Sequence, residues 1–198
     1  VELGIAGLAI PDQYGGAGLE MLDLAVVAET LGHGAFPGPF FNHALAAMAI
    51  TWAGSDAQKD KWLPKLAAGE ALATIAQSDP DGGWQPEDWS LSAGSTLTGT
   101  KPMVPFASVA DVIVVGVAGG GLVLVEQGAS GLSFETIDGA ERTRRFDEVS
   151  FADTPCETLP KGAEVTGKVR DAGLMLLSAD ALGGAPRCLE MSVEYAKT

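Results

Sequence analysis

The chain has 198 residues, 46% of them hydrophobic and 19% charged, which is ample core material for one large domain or two small ones and too much for disorder. Its formal net charge is −14 and its longest basic run is Arg144-Arg145, so nucleic acid is disfavoured as a partner, because such binding draws its affinity from Lys and Arg at phosphates. The longest uncharged stretch, 35–55, is interrupted by Pro37, Gly38, Pro39, Asn42 and His43 and is unfit to span a membrane; the start lacks a signal peptide's basic region, and a soluble, cytoplasmic protein is expected.

The first 70 residues read as helices joined by loops. Over 21–31, Leu22, Ala25, Val26 and Glu29 fall at helical spacing, and Gly32 is placed to stop the helix in a left-handed conformation. Residues 40–53 form a second helix with Leu45, Met48, Ala49 and Trp52 on one face. Apolar around most of its girth, it must be buried on several sides. Ser55 opens a third helix, where Gln58 completes a capping box. Pro64 breaks or kinks that helix, and Ala67-Ala68-Gly69 ends the segment.

After Gly69 the hydrophobic period shortens. Segments 74–79, 96–98, 111–117, 122–126, 131–137 and 148–152 are rich in Val, Ile, Thr and Phe and read as strands. Gly119-Gly120-Gly121 joins two of them as a hairpin turn, since glycine takes positive φ freely. No helix alternates with these strands. That excludes a doubly wound parallel sheet and predicts an antiparallel sandwich or barrel.

From Val165 the helical period returns, with Leu174, Leu177, Ala181, Leu182, Cys188, Leu189 and Val193 as an apolar stripe. Gly183-Gly184 and Pro186 interrupt it, leaving two helices or one kinked helix. The pattern reaches Thr198 without a terminator and the chain opens without Met, so both ends are read as cut. The expected fold is α+β: a partial helical N-terminal domain over 1–71, a β-domain over 72–164 and the start of a helical bundle over 165–198.

No side-chain constellation announces catalysis. Gly16 and Gly18 match the start of a dinucleotide-binding turn, but Met21 holds the third glycine position and no βαβ unit follows, so a surface loop is the better reading. Cys156 and Cys188 are isolated, and His33 and His43 lie on or beside apolar helical stretches, so neither pattern indicates a metal site. Asp79 and Asp81 could pair for acid–base work, but in a turn rich in Pro and Gly they read first as turn residues. Arg142, Arg144 and Arg145 could form a local anion-binding patch, against the plainer reading of a solvated charged turn.

Several segments, in order, carry a resemblance. Leu3-Gly4-Ile5-Ala6-Gly7-Leu8-Ala9-Ile10-Pro11 with Tyr14-Gly15-Gly16-Ala17-Gly18 comes first, then Glu29-Thr30-Leu31-Gly32. Next are Gly54-Ser55, Gln58-Lys59 and Trp62-Leu63-Pro64 through Gly69-Glu70, followed by Leu97-Thr98-Gly99-Thr100-Lys101 and Ala110-Asp111. Leu182-Gly183-Gly184-Ala185 and Tyr195-Ala196-Lys197 close the series. Together they resemble the acyl-CoA dehydrogenase family along nearly the whole chain.

The resemblance implies FAD as cofactor and α,β-dehydrogenation of an acyl-CoA thioester in fatty acid or lipid metabolism. An electron-transfer flavoprotein or similar acceptor would be a partner, and the protein would assemble as a homo- or hetero-oligomeric dimer or tetramer. The family's catalytic base is a glutamate of the C-terminal bundle, beyond Thr198, so no residue here is nominated as catalytic. Gln77, Ser78, Met103, Val104 and Pro105 would form the cofactor wall, and Trp84 would border substrate or flavin. Two departures fall at that wall. Gln77-Ser78-Asp79-Pro80 stands where members commonly carry Thr-Glu, with Asp81-Gly82-Gly83-Trp84 in place of Gly-Ser-Asp. Met103-Val104-Pro105 replaces an aromatic-x-Thr/Ser motif; Met can pack on a ring, whereas Pro105 brings neither hydroxyl nor N–H. Such departures resemble those of divergent actinobacterial members, some of them heterotetramers with unequal subunits. The alternatives are therefore a non-catalytic, flavin-poor subunit of a heteromeric complex and an acyl-CoA oxidase-like relative.

Overall fold

The structure is a computed structural model and describes residues 4–141 and 143–197. Leu3, Arg142 and Thr198 lie outside the described residues.

The chain opens with short 3-10 turns at Ile5–Gly7 and Asp12–Tyr14, and the glycine-rich loop folds back on them. The amides of Ala17, Gly18 and Leu19 donate to the carbonyls of Gly7, Ile10 and Leu8. A Cβ on Gly16 would sit 2.0 Å from the Ile10 carbonyl oxygen, so this loop is built for close backbone approach.

Three helices follow: α1 (Met21–His33), α2 (Phe40–Ala53) and α3 (Asp56–Ala68). The α1 helix departs from expectation twice. It runs through Gly32, and it buries Leu24 and Ala28 while Leu22 and Val26 are exposed. Leu24, Ala28 and Gly32 form one i, i+4, i+8 row, and this row is the one that meets the C-terminal helix. Gly32 serves approach rather than termination: a Cβ there would lie 2.1 Å from the Asp180 carbonyl oxygen.

Helix α2 is buried on nearly all sides, as its composition requires. Ser55 and Gln58 cap α3 reciprocally, at 3.3 Å and 3.0 Å. The helix continues past Pro64 to a left-handed Gly69. Pro64 and Asp60 both face solvent, so the Asp60 carbonyl that loses its helical donor can be hydrated.

The β-region forms two sheets. One has the order β1 (Ala73–Ala76), β3 (Val112–Val117), β4 (Gly121–Glu126), β7 (Glu157–Thr158). The other has the order β2 (Thr96–Pro105), β6 (Phe146–Pro155), β5 (Leu132–Thr136). All pairings are antiparallel except β1 with β3, which run parallel because the chain visits the second sheet between them. The sheets stack rather than close into a barrel.

The first sheet is the middle layer. Val112, Val114, Leu122 and Leu124 face the helical core, while Ile113, Val115, Val123 and Val125 face the second sheet. Burial on both faces is why β3 reads as a continuous apolar run. The predicted hairpin at Gly119 and Gly120 is present, both at φ +73.

The C-terminal segment is one helix, α4 (Gly162–Ala196), continuous through Gly183-Gly184 and Pro186. Its buried side is Val169, Ala172, Leu176 and Gly183, and the stripe of Leu174, Leu177, Leu182, Leu189 and Val193 is exposed. Small residues decide the side: a Cβ on Gly183 would lie 1.8 Å from the Glu29 carbonyl oxygen, so α1 and α4 touch backbone to backbone. No helix among the described residues is long and apolar enough to cross a membrane.

Candidate functional site

The end of β2 is irregular in a way that exposes side chains. Its register against β6 slips between Lys101 (opposite Val149) and Val104 (opposite Asp147), placing one extra residue on β2. That bulge contains Met103, held at φ +54 with half its surface exposed. A left-handed conformation at a non-glycine residue costs on the order of 1–3 kcal/mol and persists where surrounding structure enforces it. Phe106 follows at φ +56.

A buried charge pair lies on the same strand, just before the bulge. Lys101 is fully buried and pairs with the buried carboxylate of Asp79, in the loop after β1. The other Asp79 oxygen accepts from the Ser90 amide at 2.6 Å and hydroxyl at 2.7 Å. Lys101 Nζ also lies 5.4 Å from the centre of the Trp89 ring. Burial alone would raise the Asp79 pKa, but the Lys101 ammonium and the two Ser90 donors outweigh it and hold Asp79 below the usual carboxylate value. A second tie crosses between the sheets from Thr74 Oγ1 to the Pro105 carbonyl, at 2.6 Å.

These two ties bring Gln77-Ser78 and Met103-Val104-Pro105 to one place. Gln77 and Ser78 are half-buried, and neither side chain has a hydrogen-bond partner among the described residues. Val104 is only 1% exposed, packs in the second core and is paired with Asp147 across the ladder, so its side chain is turned inward. Pro105 presents its ring at the edge, with its carbonyl already used by Thr74. Trp84 is exposed just past a turn in which the Asp79 amide donates to the Gly83 carbonyl, at 2.9 Å.

Asp79 is therefore a buried charge as well as a turn residue. Strand parity could have revealed its partner: Leu97 and Lys101 sit four apart on one strand and point the same way, inward.

A second buried carboxylate, Asp147, lies on β6 opposite Val104. It accepts from the Ser108 amide (2.9 Å) and hydroxyl (2.7 Å), from Thr136 Oγ1 (2.9 Å) and from Arg145 Nε (3.3 Å). Burial opposes its charge, but these donors prevail and keep its pKa below the ordinary value. Arg144 reaches Asp180 of α4, at 3.4 Å. Both described arginines of the expected anion patch are thus answered by carboxylates. Beside the wall, Phe106 closes a hole of about 30 Å³ with Phe36, Phe40 and Phe41, and the Arg144–Asp180 pair stands at its rim.

His43 is buried on α2, where its Nδ1 accepts from the Ala73 amide at 3.3 Å. Burial lowers its pKa, and the Ala6 and Leu66 carbonyls nearby oppose that weakly without closing a hydrogen bond to Nε2. It is a neutral, packed histidine.

Known proteins share this architecture. The family profile described as "Acyl-CoA dehydrogenase, N-terminal domain" matches residues 1–70. The acyl-CoA dehydrogenase IpdE2 of Mycobacterium tuberculosis is 30% identical over 198 residues, covering 100% of this chain and 51% of that protein. The chain belongs to the acyl-CoA dehydrogenase family. Among solved structures of acyl-CoA dehydrogenases, a steroid acyl-CoA dehydrogenase variant superposes with a TM-score of 0.87 at 29% identity, over 98% of this chain and 55% of that one. A glutaryl-CoA dehydrogenase of Mycobacterium smegmatis in complex with FADH2 gives 0.84 at 25% identity, again over 98% and 55%. The chain spans about half the length of the acyl-CoA dehydrogenases it matches.

Proposed function

We propose that the protein is an FAD-dependent acyl-CoA dehydrogenase that introduces an α,β double bond into an acyl-CoA thioester. Membership of the family supports this reading, as do the acyl-CoA dehydrogenase named in Mycobacterium tuberculosis and the FADH2 complex of the glutaryl-CoA dehydrogenase. The observation that carries it in this chain is the wall itself: a bulged, half-exposed Met103 on β2 and, across the ties from Thr74 and Asp79, two half-buried polar side chains with no hydrogen-bond partner among the described residues.

The residues fit a flavin. Met103 offers a polarizable thioether to an aromatic face. Gln77 and Ser78 keep donors and acceptors free for ring heteroatoms, and Val104 is proposed to support the wall from the core side. Bound FAD would accept the hydride leaving the acyl β-carbon. The β-domain, proposed as 72–164 between helical parts over 1–71 and 165–198, would hold one ring face, exclude water and keep the slot at fixed width. Trp84 is proposed to border the substrate. No proton transfer is assigned to a residue of this chain. An electron-transfer flavoprotein or similar acceptor, an oligomeric assembly and a cytoplasmic location go with this reading.

The test is the visible absorption spectrum of the whole purified protein. Flavin bands, bleached anaerobically by an acyl-CoA, are the expected result. A protein that stays colourless after FAD is added overturns the reading and leaves a flavin-free subunit of a heteromeric dehydrogenase as its replacement.

A further inference from the structure

The candidate wall is assembled from two sheets, and nothing in the strand ladders themselves fixes the distance between its halves. Gln77 and Ser78 follow β1 of the first sheet, whereas Met103, Val104 and Pro105 end β2 of the second. The pair that joins them is unusual for its cost. Lys101 is 0% exposed and Asp79 1%, and replacing such a pair by apolar residues of similar volume is often neutral or stabilising. A buried charge pair kept where packing alone would serve calls for a reason other than stability.

Its position supplies one. Asp79 is the residue after Ser78, and Lys101 stands two residues before Met103, on the near side of the bulge. Ser90 anchors Asp79 through amide and hydroxyl, so the carboxylate is fixed from one side and the ammonium is drawn to it from the other. Trp89 packs beside this arrangement: its ring lies 5.4 Å from Lys101 Nζ, and it fills the space above Gly116 of β3, where a Cβ would come within 2.6 Å. Among the described residues the Lys101 ammonium donates to Asp79, and Asp81 adds a smaller attraction.

We infer that Asp79 and Lys101 are a positioning pair: an inter-sheet clamp that sets the gap between Gln77-Ser78 and Met103 and holds Met103 in its left-handed, outward conformation. The inference rests on the flavin reading for its consequence, but the clamp is a statement about this chain's own residues. The Thr74–Pro105 hydrogen bond is the weaker second tie in the same gap.

The experiment compares whole wild-type protein with the double variant Asp79→Asn/Lys101→Gln and with Thr74→Val. The double variant keeps an acceptor for Ser90 and a hydrogen bond between the two side chains, so it should fold, but it removes the charge pair and is shorter by about one atom. Three readouts are taken: thermal midpoint, FAD affinity of the apoprotein by fluorescence titration, and the position of the bound-flavin band near its visible maximum. The expected result is a midpoint within a few degrees of wild type, FAD affinity lowered about tenfold or more and a displaced flavin band, with Thr74→Val showing the same changes in smaller measure. Unchanged affinity and band position in the double variant overturn the clamp. Wild-type protein that takes up no FAD defeats the flavin reading instead. The clamp is then decided on flavin-free protein, by amide exchange over 74–78 and 101–104 and the rate of Met103 oxidation. Faster exchange and an altered rate in the double variant support it, and identical values overturn it. If the double variant does not fold, the same exchange and oxidation comparison is made on Lys101→Gln alone, which leaves Asp79 held by Ser90, and faster exchange again supports the clamp while identical values overturn it.

Discussion

The two sheets of the β-region are built on opposite terms. In the first, β3 is buried along its whole length, and its five valine and isoleucine side chains each pack on one of two cores. In the second, β2 and β6 alternate in burial, carry register slips, and enclose two charged residues, Lys101 and Asp147, at 0% exposure. Among the described residues, three of the four non-glycine positions with positive φ, Met103, Phe106 and Asp153, lie on or beside these strands. The first sheet is scaffold. The second holds strain and buried charge, and both are what a structure retains where side chains must be aimed rather than merely packed.

Lys101→Met alone should disturb this division most severely. It leaves the Asp79 carboxylate buried beside apolar carbon with only the Ser90 donors, and about 3–5 kcal/mol of stability should be lost. Denaturant unfolding measures this, and the loss should largely reverse when Asp79→Asn is added. A single variant as stable as wild type would mean that the pair is not buried as described.

Next in size is Ile113→Ala in the scaffold sheet. Ile113 is 0% exposed in the second core, so its truncation should cost about 2–5 kcal/mol, according to how far the site collapses. Here the contrast sharpens: this variant should lose stability and keep its affinity for FAD, in contrast to the double variant of the clamp. An equal loss of flavin affinity in both would erase the distinction between the sheets.

Asp147→Asn probes the buried charge on β6, behind the wall and opposite Val104. A hydrogen bond to an ionised group is worth about 1.5–3 kcal/mol, and Ser108, Thr136 and Arg145 all donate to this carboxylate. The folded pKa is held below the unfolded value, near 3.9. The stabilisation is therefore complete above about pH 4 and disappears as pH falls through the folded pKa. At neutral pH the asparagine variant should be less stable, and its stability should fall less steeply than wild type below about pH 4. Parallel curves for the two proteins would show that Asp147 is not ionised in the fold.

Much of this was legible in the residues. The apolar second helix, the capping box at Ser55 and Gln58, the glycine hairpin and most strands follow from period and turn chemistry, because those signals are local. What escaped is tertiary. Gly32 looks like a stop and is a contact point, because the 1.8–2.1 Å approaches that demand glycine are made by another helix. The stripe of α4 that looks like a core face is exposed, because its smaller residues lie against α1. Asp79 looks like a turn acid, since its partner lies 22 residues away on another sheet. In the site, the family resemblance is what proposes the wall, but the bulge that turns Met103 outward is a register slip between strands and leaves no mark on either strand's sequence alone.

The smallest effect should be the most discriminating, because its sign is unusual. Met103 stands at φ +54 with half its surface exposed, so Met103→Gly relieves a left-handed conformation costing on the order of 1–3 kcal/mol and removes little packing. Glycine's extra unfolded-state freedom takes back roughly 0.5–1 kcal/mol. The net should be a stabilisation of roughly 0–2.5 kcal/mol, each 1 kcal/mol being worth about 2–4 °C in thermal midpoint for a chain of this size. At the same time FAD affinity should fall, since the side chain proposed to meet the ring is gone. Opposite signs for stability and binding are the mark of a residue kept for function against its own conformational preference. A destabilised variant with unchanged FAD affinity would place Met103 among the ordinary packing residues and return the irregularity of β2 to simple sheet curvature.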